Sequence, residues 1–125
     1  MNSPSATRDP YPYPSEPAWS RSERAIARKV FDAALKRELQ EVMRETKRMA
    51  SQIEEPADVW GLERYLTQRR KDIDRKYEFR SSQLTRVFGT LLCEGRVSEE
   101  ELRGLGEDKL KLIHSCAKFL AEDVA

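Results

Sequence analysis

From residue 20 onward the apolar residues of the chain fall at helical rather than strand intervals. Ile26, Val30, Phe31, Ala34, Leu35, Leu39, Val42, Met43, Met49, Ala50 and Ile53 recur at steps of three and four, with Lys, Arg and Glu on the other faces. Neither glycine nor proline interrupts the stretch until Pro56, and Ser20 or Ser22 supplies a hydroxyl to cap its start. The pattern predicts one amphipathic helix running to about Ile53, with a continuous stripe that needs a covering partner.

Glu54-Glu55-Pro56 predicts a turn, because proline suits the first position of a helix and acidic neighbours suit its dipole. Val59, Leu62, Leu66, Ile73, Tyr77, Leu84, Val87, Phe88 and Leu91 then carry a second helix to about Glu94, with a bend around Ser81-Ser82. Two long helices joined by a tight turn form an antiparallel hairpin. Gly95 is placed to end the second in the left-handed conformation, and Ser98-Glu99-Glu100-Glu101 has the spacing of a capping box opening a short third helix. Gly104 and Gly106 end that helix. A fourth, from about Glu107 to Leu120, gathers Leu112, Ile113, Cys116, Phe119 and Leu120 on one side to cap the hairpin. The expected fold is all-α and homodimeric: a long antiparallel helical hairpin with a small C-terminal helical cap.

Residues 1 to 18 break this pattern. Five of the six prolines lie between Pro4 and Pro17 among Ser, Tyr and acidic residues, which predicts a disordered, proline-rich arm preceding one helical domain over residues 19 to 125. The Pro10-Tyr11-Pro12-Tyr13-Pro14 run has the chemistry of a docking motif, although a plain flexible tail accounts for it as well.

Charge narrows the function classes. Charged residues are 36% of the chain yet nearly cancel at a net +1, so a general nucleic-acid or acidic-lipid surface is not expected. The basic run Arg64, Arg69, Arg70, Lys71, Arg75, Lys76 and Arg80 is interleaved with Asp72, Asp74 and Glu78 at helical spacing, as in a solvated face. No metal-ligand spacing or catalytic carboxylate pair stands out. His114 is the only histidine, and its nearness to Cys116 reads as a plain helix face, not as an activated thiol. Neither catalysis, metal binding nor any cofactor is expected. The two cysteines, Cys93 and Cys116, suit a reduced cytoplasmic chain, and no apolar run reaches the ~18 residues of a membrane span. What remains is a protein-binding helical surface, on which Trp60 beside arginines near a helix start is the most informative residue.

Trp19-Ser20, Arg37-Glu38-Leu39, Asp58-Val59-Trp60, Leu66, Arg70, Ile73-Asp74, Lys76-Tyr77, Arg80-Ser81, Val87-Phe88, Leu91-Leu92, Glu94-Gly95, Glu101-Leu102 and Asp108-Lys109 fall in an order and spacing that resembles the fluorescence recovery proteins of cyanobacteria. The resemblance spans about residues 19 to 118. It implies a dimeric regulator of photoprotection that binds light-activated orange carotenoid protein, helps it leave the phycobilisome and speeds its return to the resting form. It also implies a partner-binding face at Trp60, Glu63, Arg64, Arg70 and Arg86, with Trp60 and Arg70 matching the family's tryptophan and arginine. Glu63 and Arg64 replace its histidine and aspartate, Arg86 replaces an aromatic, and Leu112 replaces a lysine. The dimer interface is expected at Val59, Trp60, Leu62, Glu63 and Arg70. A helical adaptor of the same fold serving another regulatory or signalling protein is the rival reading.

Overall fold

The computed structural model describes residues 18–124, so the expected arm lies outside the described residues except for Ala18. Within them the chain forms four helices: α1 (Arg21–Ser51), α2 (Asp58–Lys76), α3 (Leu84–Cys93) and α4 (Glu107–Val124).

Helix α1 begins where the hydroxyl pattern places it. Ser20 Oγ accepts the Glu23 N–H at 3.1 Å and Glu23 Oε1 accepts the Ser20 N–H at 2.9 Å, a reciprocal capping box that satisfies two otherwise orphaned donors. Its buried residues are Glu23, Ala27, Val30, Phe31, Ala34 and Glu38, all in the first twenty positions of the helix or fewer. Beyond Glu38 the stripe is uncovered within this chain: Leu39 and Met43 are exposed, Met43 by 56%. Asp58 closes the turn into α2 by accepting the backbone N–H groups of both Glu54 and Glu55 at 3.0 Å.

The second helix does not continue to Glu94. It stops at Lys76, Tyr77 adopts an extended conformation, and helix resumes only at Leu84. The cause is aromatic packing. In a continuous helix Tyr77 and Phe79 would point ~200° apart, whereas in extended backbone residues i and i+2 share a side. Both rings accordingly meet Phe31 edge-on, with centroids 5.4 and 5.2 Å away, and the Arg28 guanidinium lies 3.7 Å over the Phe79 ring.

Gly95, at φ 75°, ends α3 as the sequence predicts. The Arg96 N–H bonds the Leu91 carbonyl at 2.8 Å and the Gly95 N–H bonds that of Leu92 at 3.0 Å, the paired bonds of a Schellman turn. The expected third helix is only a turn. Its capping box does form, Glu101 N–H to Ser98 Oγ at 3.1 Å and Ser98 N–H to Glu101 Oε1 at 2.9 Å. The bonds that follow, Leu102 to Glu99 and Arg103 to Glu100, span three residues, and Gly104 at φ 106° then turns the chain beneath Ile26. A Cβ on Gly104 would lie 2.7 Å from Ile26 Cδ1, so the approach requires glycine.

The core gathers the first half of α1 with α3, α4 and the loop between them: Trp19, Phe31, Leu84, Phe88, Leu91, Leu102 and Ile113 are among its buried residues. Gly89 lets α4 press onto α3, because a Cβ there would come within 2.6 Å of Cys116. Glu23 ties the ends of this unit together, its carboxylate accepting from the Gly106 N–H at 2.7 Å and from Lys109 Nζ at 3.1 Å. Backbone donors from Ser20 and Gly106, opposed by burial and aided by Lys109, hold its pKa down to about 2. The apolar side expected of α4 divides: Ile113 is buried, whereas Leu112 and Phe119 face outward. Among the described residues no helix is long and apolar enough to cross a membrane.

Candidate functional site

Helix α2 presents the residues expected to bind a partner. Not one of its nineteen residues is fully buried. Val59, Glu63, Leu66 and Arg70 follow one another at steps of three and four and so share one stripe, with Trp60 at its edge. Val59, Trp60 and Leu66 are exposed, Trp60 by 61%, while Leu62 is half-buried on the flank toward α1. Glu63 accepts a hydrogen bond from Thr67 Oγ1 at 2.9 Å, and Arg70, 84% exposed in its side chain, stands 3.9 Å from Asp74. Within one chain Glu63 and Arg70 therefore have separate partners. Arg64 is exposed on the next face. Arg86 belongs to α3, where its Nε donates to Gln83 at 2.9 Å and its Nη2 lies 3.6 Å from Glu78, so the structure does not bring it onto the α2 stripe.

What holds that stripe in place is Glu38, which stands at zero exposure opposite the C-terminal half of α2. Its Oε2 accepts from Arg69 Nη2 at 2.6 Å and Lys76 Nζ at 2.9 Å, and its Oε1 accepts from the Tyr77 hydroxyl at 2.8 Å with Arg96 Nε at 3.3 Å. Both oxygens are thus saturated. Glu94 receives Lys76 at 2.7 Å and Arg96 at 2.8 Å, and Glu41 receives Arg96 at 3.0 Å, so three carboxylates balance three cations. Burial alone would push the Glu38 pKa up, but hydrogen bonds from Lys76, Arg69 and Tyr77 outweigh it and hold the group below its ordinary value. The same contact works the other way on Tyr77, where burial first and the Glu38 hydrogen bond second drive the phenol well above its usual range.

Each partner is delivered by a local feature already described. Arg69 and Lys76 are seven residues apart on the α1-facing side of α2, Tyr77 leads the extended break, and the Schellman turn aims Arg96 back at α1. Arg37 clamps the same loop, donating to the Arg96 carbonyl at 2.9 Å and to Glu101 at 2.5 Å. Glu38 was missed in the sequence reading because it sits beside Arg37 in a charged stretch. The available signal was its register: Ala27, Phe31, Ala34 and Glu38 are successive steps along the buried face. Among the described residues no group of three or more His, Cys, Asp or Glu could hold a metal ion. The arrangement fixes helices and displays a surface.

With the fold and its exposed face defined, the comparisons are decisive. The family model for the photoprotection regulator fluorescence recovery protein matches residues 19–117. The chain belongs to the fluorescence recovery protein family. It is 38% identical over 105 residues to the fluorescence recovery protein of Synechocystis sp., covering 84% of this chain and 96% of that one. The solved Synechocystis sp. structure superposes with a TM-score of 0.78 at 39% identity, and that from Fremyella diplosiphon with 0.77 at 37%, each over 81% of this chain and 99% of its own. The fluorescence recovery protein family is one of photoprotection regulators, and its all-helical fold is the one seen here.

The Glu38 cluster generates a stability prediction. Glu38→Gln keeps the shape but leaves Arg69, Lys76 and Arg96 short of one buried charge, and should lower unfolding free energy by about 3–5 kcal/mol in a denaturant titration. Because the folded pKa of Glu38 is depressed, its contribution is complete above the ordinary carboxylate value and is lost as pH falls below it. Stability of the variant should therefore decline less than that of the parent chain on acidification from neutral pH.

Proposed function

We propose that this chain is a homodimeric regulator that binds photoactivated orange carotenoid protein, accelerates its return to the resting form and promotes its release from the phycobilisome. The observation that carries the reading is the family match across residues 19–117, together with the exposure on α2 of Trp60 and Arg70, the two site residues retained from the family pattern. A regulator of this kind breaks no bond. It must bind the route back to the closed client more tightly than the open client, or it would trap the state it is meant to remove. Trp60, Glu63, Arg64, Arg70 and Arg86 are the proposed client contacts.

A second reading keeps the fold and changes the client to another regulatory protein. It is favoured by what stands at the altered positions: Arg64 and Arg86 are exposed guanidiniums and Leu112 is an exposed aliphatic, a different chemistry from the pattern the family resemblance implies. Timing the red-to-orange relaxation of photoactivated orange carotenoid protein in darkness separates the two. The first reading predicts a faster relaxation with the chain present, and an unchanged rate favours the second.

The dimer is proposed on α2, through Val59, Trp60, Leu62, Glu63 and Arg70. Support comes from the stretch beyond Glu38, where Leu39, Met43, Val59, Trp60 and Leu66 are exposed and no residue of α2 is buried. A two-fold contact would cover this surplus on both subunits at once, and Glu63 of one protomer could meet Arg70 of its partner. Val59→Glu would place a charge in that seam and should yield a monomer in a sizing experiment at micromolar concentration. A variant that remains dimeric would move the interface elsewhere.

A further inference from the structure

A second surface lies away from the α2 stripe. Between the end of α2, α3 and the turn after it is a cleft of about 300 Å³ with no apolar side chain in its lining. Arg69, Arg75, Lys76, Arg86 and Arg96 face it against only Asp72 and Glu94, with Thr90 completing the wall. We infer that this cleft is a docking site for acidic side chains of the client protein, with Arg75 and Arg86 as the residues that grip them. This rests on the proposed function for the existence of a protein client, but not on which client it is.

The inner and outer cations differ in availability. Arg69, Lys76 and Arg96 are turned inward onto Glu38 and are largely withdrawn from solvent, with side-chain exposures of 20%, 11% and 20%. The outer pair is freer. Arg75 gives one nitrogen to Asp72 at 2.8 Å and its side chain is 71% exposed, and Arg86 directs Nε to Gln83 while Nη2 is 3.6 Å from Glu78. A guanidinium has five donors in a planar fork, so both retain donors for an incoming group. The inner three act as a fixed positive floor, held by the same contacts that order the fold.

The chemistry selects a carboxylate. A planar fork matches a carboxylate in two parallel hydrogen bonds, and the two acidic groups in the lining repel a dianion more than a single negative charge. A small-molecule pocket would be mainly apolar and would enclose its ligand, and this one does neither. Arg86 stands where the family resemblance leads one to expect an aromatic ring, so the cleft is a property of this chain's own sequence and sets the kind of client surface it can accept.

The test titrates the full-length chain into a fluorescently labelled polyglutamate peptide and reads anisotropy, with polylysine as the control peptide and inorganic phosphate as the competitor. The peptide should bind, more weakly as salt rises, and Arg75→Gln with Arg86→Gln should weaken it roughly tenfold or more, since hydrogen bonds between charged groups contribute about 1.5–3 kcal/mol each. Both residues lie outside the Glu38 contacts, so the melting temperature should hold, and a variant that melts early is replaced by Arg86→Lys, which keeps charge and loses the fork. Equal binding by parent and variant overturns the inference. So does displacement by phosphate at concentrations where chloride of the same ionic strength has no effect, which would make this a small-oxyanion site. Peptide binding without faster orange carotenoid protein relaxation would retain the cleft and remove only that client, whereas faster relaxation with no peptide binding would refute the cleft alone.

Discussion

A carboxylate removed entirely from water is tolerable as an anion only when donors replace every water it has lost. Glu38 meets that condition with two cations on one oxygen and a phenol and a third cation on the other. Those four donors come from three different stretches: α2, the extended break that follows it, and the turn that ends α3. Satisfying one buried oxygen pair therefore fixes where α2 lies, where it stops and how the chain leaves α3. A buried ionic cluster adds little net stability compared with an apolar core, so its value here is in excluding other arrangements of the same helices.

That constraint divides the molecule into a part that is packed and a part that is held. On the near side of Glu38, α1 contributes to a continuous core with α3 and α4, closed by Trp19 stacked near Phe88 and by the Glu23–Lys109 pair. On the far side, α1 and α2 project with apolar residues uncovered and few buried contacts of their own. A regulator profits from this division: the core keeps the projecting pair rigid, and the projecting pair keeps its apolar and arginine residues available for other chains.

The sequence made the element ends legible wherever one residue type has one physical role. Ser20 with Glu23 signals a capped start by spacing alone, and Gly95 signals a left-handed stop. The break after Lys76 was hidden because Tyr77 and Phe79 do not disturb the helical period enough to betray it, and no glycine or proline marks the segment. Only the presence of Phe31 across the chain makes an extended segment the better solution. Ser98 and Glu101 do form their box, but a capping signal cannot reveal that Gly104 must turn away beneath Ile26 a few residues later. At the candidate site Val59, Trp60 and Arg70 were readable as a surface. Glu38 was not, since a glutamate in a charged helix is unremarkable until its neighbours in space are known.

If Glu38 is the group on which this arrangement depends, its ionisation should carry the signature of its four donors. Carbon-13 NMR of the side-chain carboxyl, followed from neutral to acidic pH and assigned through the Glu38→Gln spectrum, reads that ionisation directly. The arrangement described predicts a carboxylate that stays ionised through the range in which exposed glutamates such as Glu99 and Glu100 titrate, and that takes up its proton only as the fold is lost. Titration together with the exposed glutamates, or above them, with the fold intact would show that the cations do not hold Glu38 as an anion and would contradict the account.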